Sequence, residues 1–216
     1  KAYHMQFDPE NWQRIAPPTE IDLSLAAFET AQDQTTGEIY GAFYNSDLTK
    51  REFGVVDFEN ETRTTFGTTD KAYVALGLST DGYLYGIATD GNLYKIDKTN
   101  GTETLIGSTG IELTDADGSY YSQSGEIDQK TNTFYWASVD NAQQSALYTV
   151  DLATGAVTKI SDFPNGDIVL ALTVPKPLAE AGAPAAAEEL SVAFNEASLS
   201  GKVNFKAPTK TYGGST

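Results

Sequence analysis

The sequence lacks cysteine, and it has a single histidine and a single methionine among 216 residues. The absence of cysteine excludes disulfides, thiol nucleophiles and cysteine metal sites, and it leaves the redox compartment open. The one histidine, His4, is the sole candidate base for a Ser-His-Asp triad, and it has no acidic companion at metal-ligand spacing. Neither a GxSxG motif nor a phosphate-binding glycine pattern is present.

Positive charge and long apolar runs are also scarce. The chain has 14 Lys and Arg against 30 Asp and Glu, a formal net charge of -16. Such a surface repels nucleic-acid phosphates and anionic lipids, so we expect neither as a partner. No apolar run reaches about eighteen residues, so no membrane insertion is expected. The opening KAYHMQF has neither a signal peptide nor an initiating methionine, from which we expect a mature or excised piece of a longer protein.

Two repeated phrases organise the middle of the chain. The first occurs as TTGEIYGAFYN (35–45), TDGYLYGIATD (80–90) and KTNTFYWASVD (130–140). The second occurs as FGVVDFENETRTTFG (53–67), LYKIDKTNGTETLIG (93–107) and LYTVDLATGAVTKIS (147–161). A period of about 40 to 55 residues with strand-type alternation and tight turns is typical of β-propeller blades. The sequence therefore predicts an all-β, β-propeller-like array of three clear four-stranded antiparallel blades over residues 27–175.

The segments around the three blades allow several organisations. A closed ring usually has four to eight blades, so three are too few. Either residues 1–26 and 167–175 complete a degenerate fourth blade, or a partner chain does so, or the piece is cut from a larger protein. Residues 176–188 are predicted to be a linker, because they are alanine-rich and carry helix-breaking proline and glycine. Residues 189–216 are predicted to hold partial β-sandwich strands.

Repeated positions within the blades are predicted to be structural. Asp57, Asp97 and Asp151 each follow an apolar strand, where an aspartate caps the backbone of its own turn. Tyr85 is predicted to be wedged between blades, with its neighbours facing the opposite side of the sheet.

The blade phrases resemble those of a known group of proteins. YGIATDGNLYKIDKTNGTETLIGSTG and LYTVDLATGAVTKIS are similar to blades of extracellular β-propeller-repeat surface proteins of Bacteroidetes type. The tail ELSVAFNEASLSGKVNFKAPTKTYGGS is similar to the opening strands of a fibronectin type III-like domain. The resemblance implies an extracellular or cell-surface location and an incomplete fibronectin-like start after the propeller. It implies no activity, because propellers host enzymes, adhesins and scaffolds alike.

The segment DADGSYYSQSGE, residues 115–126, is the candidate metal site. Asp115, Asp117 and Ser119 occupy positions 1, 3 and 5 of a calcium-loop template, and Glu126 occupies position 12. The glycine stands at position 4 instead of 6 and no flanking helices are predicted. An ordinary acidic loop between blades is therefore the alternative to a calcium site, and no other cofactor is expected.

Aromatic side chains near this segment form the candidate ligand site. Tyr120 and Tyr121 lie in the acidic loop and Trp136 lies in the strand that follows. Exposed rings of this kind stack on sugars or peptides, so a glycan or a protein is the expected ligand. The alternative is that one of Tyr135 and Trp136 is buried between two blades; both cannot be in the core, since successive strand residues face opposite sides of a sheet.

These observations favour a non-catalytic extracellular or cell-surface recognition or adhesion module. No nucleophile with a neighbouring base is evident. A carbohydrate-active propeller of glycoside hydrolase or lyase type, with paired carboxylates, is the first alternative. A structural spacer of a larger surface protein is the second.

Overall fold

The computed structural model describes residues 2–5, 8, 11, 13–22, 25–45, 47, 49–113, 123–174, 188–195 and 200–206. The chain forms two compact units, Lys1–Val174 and Pro175–Thr216. The described residues contain no α-helix, and a short 3₁₀ helix lies at Pro164–Gly166. Within those residues, no helix has the length and apolar character needed to cross a membrane.

The strands are, in chain order, β1 (Ala2–His4), β2 (Thr19–Ile21), β3 (Ala27–Gln32), β4 (Ile39–Tyr44), β5 (Arg51–Asp57), β6 (Thr62–Thr69), β7 (Tyr73–Leu78), β8 (Leu84–Ala88), β9 (Asn92–Ile96), β10 (Glu103–Ser108), β11 (Ser124–Asp128), β12 (Thr133–Val139), β13 (Ser145–Val150), β14 (Val157–Asp162), β15 (Glu188–Asn195) and β16 (Ser200–Lys206).

Three four-stranded antiparallel sheets make up most of the first unit. Blade 1 consists of β3–β6, blade 2 of β7–β10 and blade 3 of β11–β14, and within each blade the strands pair in chain order. The first strands of the three blades, β3, β7 and β11, contact one another and are the inner strands. The all-β, propeller-like array of blades predicted from the repeats is therefore confirmed.

Apolar side chains fill the spaces between consecutive blades. Alternation along β8 sends Leu84 and Ala88 toward blade 1 and Tyr85 and Ile87 toward blade 3. Tyr85 is buried and its hydroxyl donates a hydrogen bond to Asp81 Oδ2 at 2.9 Å. The predicted wedge position of Tyr85 is confirmed. Because both faces of β7 and β8 are buried, these two strands are apolar on both sides.

The repeated aspartates cap turns, as predicted. Asp57 Oδ1 accepts the N–H of Glu59 at 2.9 Å, and Asp97 Oδ1 accepts the N–H of Thr99 at 2.8 Å. Hydrogen bonds from the side chain and backbone of Asn60 lower the pKa of the exposed Asp57 carboxyl. These carboxylates therefore stabilise their own turns through hydrogen bonds within the loop.

The first unit also contains segments outside the three blades. β1 and β2 form a two-stranded antiparallel sheet, and no strand lies between residues 163 and 174. The segment 163–174 is tied to blade 3 at Ser145, whose carbonyl accepts the N–H of Phe163 at 3.1 Å, and at Ser124, whose hydroxyl accepts the N–H of Leu172 at 2.9 Å. A fourth blade built from residues 1–26 and 167–175 stays a prediction.

The second unit contains one antiparallel pair of strands, β15 and β16, among its described residues. The linker at 176–188 and the fibronectin type III-like start at 189–216 stay predictions.

Candidate functional site

A cleft of about 360 Å³ lies where the inner strands of blades 1 and 3 approach each other. Residues 27–30, Gln32 and Ile39 line it from blade 1, residues 124–126 line it from blade 3, and residues 170–173 form a third wall. The volume is at the lower end of the range of about 300–1,000 Å³ found for ligand pockets. The cleft therefore has room for a small ligand or for one unit of a larger one.

Small residues allow the inner strands to approach closely. A Cβ added to Gly77 of β7 would lie 2.6 Å from Cγ1 of Ile127 in β11, and one added to Gly125 of β11 would lie 2.7 Å from the Cβ of Ala75. Glycine at these two positions avoids an overlap with side chains of the neighbouring strands. The centre of the array is consequently a place where side-chain volume is restricted.

Two glutamates interrupt this pattern of small residues. Strand register makes Glu29 of blade 1 equivalent to Ala75 of blade 2 and Ser124 of blade 3. The same register makes Glu126 of blade 3 equivalent to alanine in blade 1 and glycine in blade 2. A carboxyl group in place of a small residue costs desolvation energy unless it is paired or neutral. Both carboxyl groups line the cleft.

Glu29 is a buried carboxyl group with only 8% of its surface exposed. Burial raises its pKa to about 9; the hydrogen bond from the backbone of Gly125 acts in the opposite direction, and the nearby charge of Glu126 adds to the increase. At neutral pH this side chain is therefore protonated. A protonated carboxyl group can donate one hydrogen bond and still accept others.

Glu126 is the second carboxyl group of the cleft. Burial raises its pKa to about 7, while the N–H of Ile127, which donates to Oε1 at 3.1 Å, acts to lower it. Glu126 therefore changes its charge near neutral pH. At pH values where Glu29 remains protonated, the two carboxyl groups together carry at most one negative charge.

The other described residues that line the cleft carry no charged side chain. Thr30, Gln32 and Ser124 add hydroxyl and amide groups, and Phe28 adds an aromatic ring. That ring packs edge-on against Tyr44, with 4.4 Å between the ring centroids. The described lining includes no Lys, Arg or His. An anionic ligand would meet no countercharge there, whereas hydroxyl groups would find both donors and acceptors.

Trp136 lies in the interface between blades 2 and 3 and is not exposed to solvent. Its indole Nε1–H donates to Oε1 of Gln123 at 3.1 Å, and its ring packs against Tyr148 with the centroids 5.9 Å apart. Of the two positions considered from the sequence, the structure places Trp136 in the core. It does not join Glu126 in the cleft.

The remaining predicted site residues are Asp115, Asp117, Ser119, Tyr120 and Tyr121, and all five lie outside the described residues. The calcium loop and the tyrosine platform therefore stay predictions. Within the described part of the chain, no group of three or more His, Asp or Glu side chains is placed to hold a metal ion.

Glu29 was not predicted from the sequence. It belongs to AFETAQ, which precedes the first repeated phrase and shows no resemblance to YVALGL or SGEID at the same place in blades 2 and 3. Aligning the inner strands through their pairing partners would have revealed the two glutamates. That alignment needs the register, which the sequence alone does not provide.

Four-stranded repeats packed through apolar interfaces, with a cleft beside their inner strands, define a β-propeller-like repeat protein. The chain belongs to the family described as a repeat of unknown function (DUF6923), which matches residues 28–171, about two-thirds of its length. No curated protein matches the chain.

Several solved structures are similar to the chain at low identity. A protein of unknown function from Bacteroides thetaiotaomicron is 14% identical with a TM-score of 0.47, over 60% of this chain and 32% of that one. Hydrazine synthase of Kuenenia stuttgartiensis is 13% identical with a TM-score of 0.47, over 96% and 50%. TolB of Acinetobacter baumannii is 17% identical with a TM-score of 0.45, over 84% and 43%. The chain thus spans from about a third to half of these proteins, and the similarities carry no inference about function.

Proposed function

We propose that this chain is a non-catalytic recognition module of an extracellular or cell-surface protein, and that it binds a neutral, hydroxyl-rich ligand such as a sugar unit in the cleft between blades 1 and 3. The observation that carries the proposal is the position of Glu29. Its carboxyl group is buried in the cleft, where the equivalent residues of the other blades are Ala75 and Ser124.

The chemistry of the cleft supports a ligand with hydroxyl groups. A protonated Glu29 donates a hydrogen bond, and its remaining oxygen accepts one. Thr30, Gln32 and Ser124 offer further donors and acceptors within the same lining. Buried polar groups that lose water need partners of this kind, since each one left unpaired costs about 1–3 kcal/mol. A sugar unit supplies such partners without adding charge.

The location at a cell surface or outside the cell is supported by the resemblance of the blade phrases to extracellular repeats. The net charge of -16 is compatible with a protein that stays dispersed at high concentration. Adhesion is the biological role that follows if the ligand belongs to another cell or to a matrix polysaccharide.

Glu29 and Glu126 also favour a second candidate function, the glycoside hydrolase or lyase that works with paired carboxylates. Such an enzyme needs one protonated and one ionised carboxyl group on either side of the bond to be cleaved. Glu29 has a pKa of about 9 and Glu126 a pKa of about 7, so just above neutral pH the first is protonated and the second is ionised.

A panel of neutral oligosaccharides, assayed for binding and for turnover, tests both candidates. Binding without turnover is the result we expect from the wild-type chain. Glu29→Ala should abolish binding, while Glu29→Gln, which keeps a neutral donor and acceptor, should retain most of it. Glu59→Gln is the matched control, because Glu59 is exposed and lies in the turn after β5. Turnover that both Glu29→Gln and Glu126→Gln abolish would establish the enzyme instead, and absence of any binding would leave the structural spacer.

A further inference from the structure

Two asparagine–glycine pairs occur in the chain, Asn100–Gly101 and Asn165–Gly166. In such a pair the backbone nitrogen of the glycine can attack the side-chain amide of the asparagine, because glycine has no side chain to block the approach. The attack requires a local change of backbone and side-chain angles, so a folded chain permits it only where the segment opens at low cost. The structure places the two pairs in different surroundings.

Asn100–Gly101 lies in the turn between β9 and β10, where hydrogen bonds and packing both hold it. The Asn100 amide accepts the N–H of Thr102 at 2.8 Å and donates to Asp97 Oδ2 at 3.3 Å. The N–H of Gly101 donates to the carbonyl of Asp97 at 2.7 Å, and Gly101 is buried against Gly67 of blade 1. Opening this turn would therefore break several hydrogen bonds and disturb the contact between two blades.

Asn165–Gly166 lies in the single 3₁₀ turn at Pro164–Gly166, and every residue of this turn is exposed. Asn165 has a left-handed backbone, with φ 58° and ψ 14°. Within the described part of the chain, its side-chain amide makes no hydrogen bond. A Cβ added to Gly166 would meet no atom within 4 Å. Opening this turn therefore disturbs no buried residue and should cost little free energy.

We propose that Asn165 is a site of spontaneous deamidation in the folded protein, and that Asn100 is protected from the same reaction. The backbone nitrogen of Gly166 attacks Cγ of Asn165 and forms a C–N bond. The bond from Cγ to Nδ2 breaks, and the amide nitrogen leaves as ammonia with the proton that the backbone nitrogen has lost. Solvent water then adds to either carbonyl of the cyclic imide and breaks its bond to nitrogen, which gives an aspartyl or an isoaspartyl residue.

The modification falls on the segment that forms the third wall of the cleft. This segment is tied to blade 3 on both sides of the turn, by the N–H of Phe163 on the carbonyl of Ser145 and by the N–H of Leu172 on the hydroxyl of Ser124. Either product adds a negative charge at position 165, and the isoaspartyl product also lengthens the main chain between the two tethers. The wall at residues 170–173 should therefore change its position in the modified protein.

Peptide mapping by mass spectrometry tests the proposal on the full chain. The protein is incubated at mildly alkaline pH in heavy-oxygen water, so that only deamidation during the incubation introduces the label. Synthetic peptides that span residues 96–104 and 161–169 give the intrinsic rates, which should be similar because both contain Asn-Gly. Asn165→Gln is the control variant, since its longer side chain would have to close a larger and less favourable ring.

We expect Asn165 in the folded protein to react at close to its peptide rate, and Asn100 to react about tenfold or more slowly than its own peptide. Asp97→Ala, which removes the acceptor of the Asn100 amide, should raise the rate at Asn100 and leave the rate at Asn165 unchanged. Equal rates at the two asparagines of the folded chain would overturn the proposal. So would an unmodified Asn165 after its peptide has reacted.

Backbone amide spectra of the aged protein test the effect on the cleft wall. The amides of Phe163 and Leu172 should shift in the aged wild type and stay in place in aged Asn165→Gln. An unchanged Leu172 amide in protein that mass spectrometry shows to be deamidated would overturn the inferred movement of the wall.

Discussion

Gly67 of β6 and Gly101 of the turn between β9 and β10 are in backbone contact across the interface of blades 1 and 2. A Cβ added to Gly67 would lie 2.5 Å from the Cα of Gly101. The contact is repeated between blades 2 and 3, where a Cβ on Gly155 would lie 2.7 Å from the carbonyl oxygen of Gly107. The distance between consecutive blades is thus set by glycine pairs near their outer strands as well as by the apolar cores.

Gly101→Ala should destabilise the fold more than Gly82→Ala does. Both glycines have positive φ angles, 72° and 83°, but a Cβ on Gly82 would meet no atom within 4 Å. The backbone strain of about 1–3 kcal/mol is common to both variants, and Gly101→Ala adds an overlap that costs about 1–3 kcal/mol more. Urea unfolding midpoints measure the difference. Equal losses of stability would show that the blades separate without cost at this point.

Tyr85→Ala should lower the free energy of unfolding by about 3–5 kcal/mol, because it deletes a buried aromatic ring between blades 2 and 3. Tyr83→Ala is the control. Its ring is 37% exposed and carries Lys95 Nζ at 3.9 Å from its centroid, so the loss should be about 1 kcal/mol or less. Thermal and urea unfolding of the two variants give the comparison. An unchanged midpoint for Tyr85→Ala would contradict the assigned strand register.

Most of the blade architecture was predictable because its signals are local and repeated. Turn aspartates such as Asp57 and Asp97 and the alternation around Tyr85 depend on neighbouring residues, so they are visible in the sequence. The cleft is different, because Glu29 and Glu126 come from strands almost a hundred residues apart. Their proximity depends on how blades 1 and 3 approach each other, and their raised pKa values depend on burial that no local pattern encodes.

Glu103→Ala should strongly destabilise the fold. The Glu103 carboxylate accepts hydrogen bonds from the hydroxyl of Tyr73 and from Thr69 Oγ1, the latter at 2.7 Å, and it pairs with Lys71 Nζ at 3.1 Å. The hydroxyl of Tyr73 is buried, so removing its acceptor should cost about 1.5–3 kcal/mol.

A double-mutant cycle with Tyr73→Phe checks the origin of that loss. The tyrosine change should cost less in the Glu103→Ala background than in the wild type, because its hydroxyl has then already lost its acceptor. Additive losses would argue against the Tyr73–Glu103 interaction. Glu59→Ala, in an exposed turn, is the control for removing one negative charge.

Stability should fall as pH rises from about 5 to 9. Glu29 and Glu126 have folded-state pKa values of about 9 and 7, against an ordinary value of 4.5. Between pH 4.5 and these folded-state pKa values, the folded chain binds more protons than the unfolded chain. The stability that the two protonated glutamates contribute is therefore complete below pH 4.5 and is lost as pH rises through the folded-state pKa values.

Glu29→Gln should flatten this pH dependence, because glutamine stays neutral throughout. Unfolding midpoints of the wild type and the variant, measured at intervals across the range, provide the test. Parallel curves for the two proteins would show that Glu29 titrates normally and is not buried as described. Glu59→Gln should follow the wild-type curve.

Chemical-shift mapping with methyl glycosides of neutral hexoses tests the binding cleft most directly. Backbone amide spectra of the full chain are recorded during titration with each glycoside, for the wild type and for Glu29→Ala. The account predicts shifts that concentrate at Thr30, Ser124 and Gly125 in the wild type and disappear in Glu29→Ala, while amides of the outer strands stay unchanged. Shifts centred away from these residues, or shifts that persist in a folded Glu29→Ala variant, would contradict it.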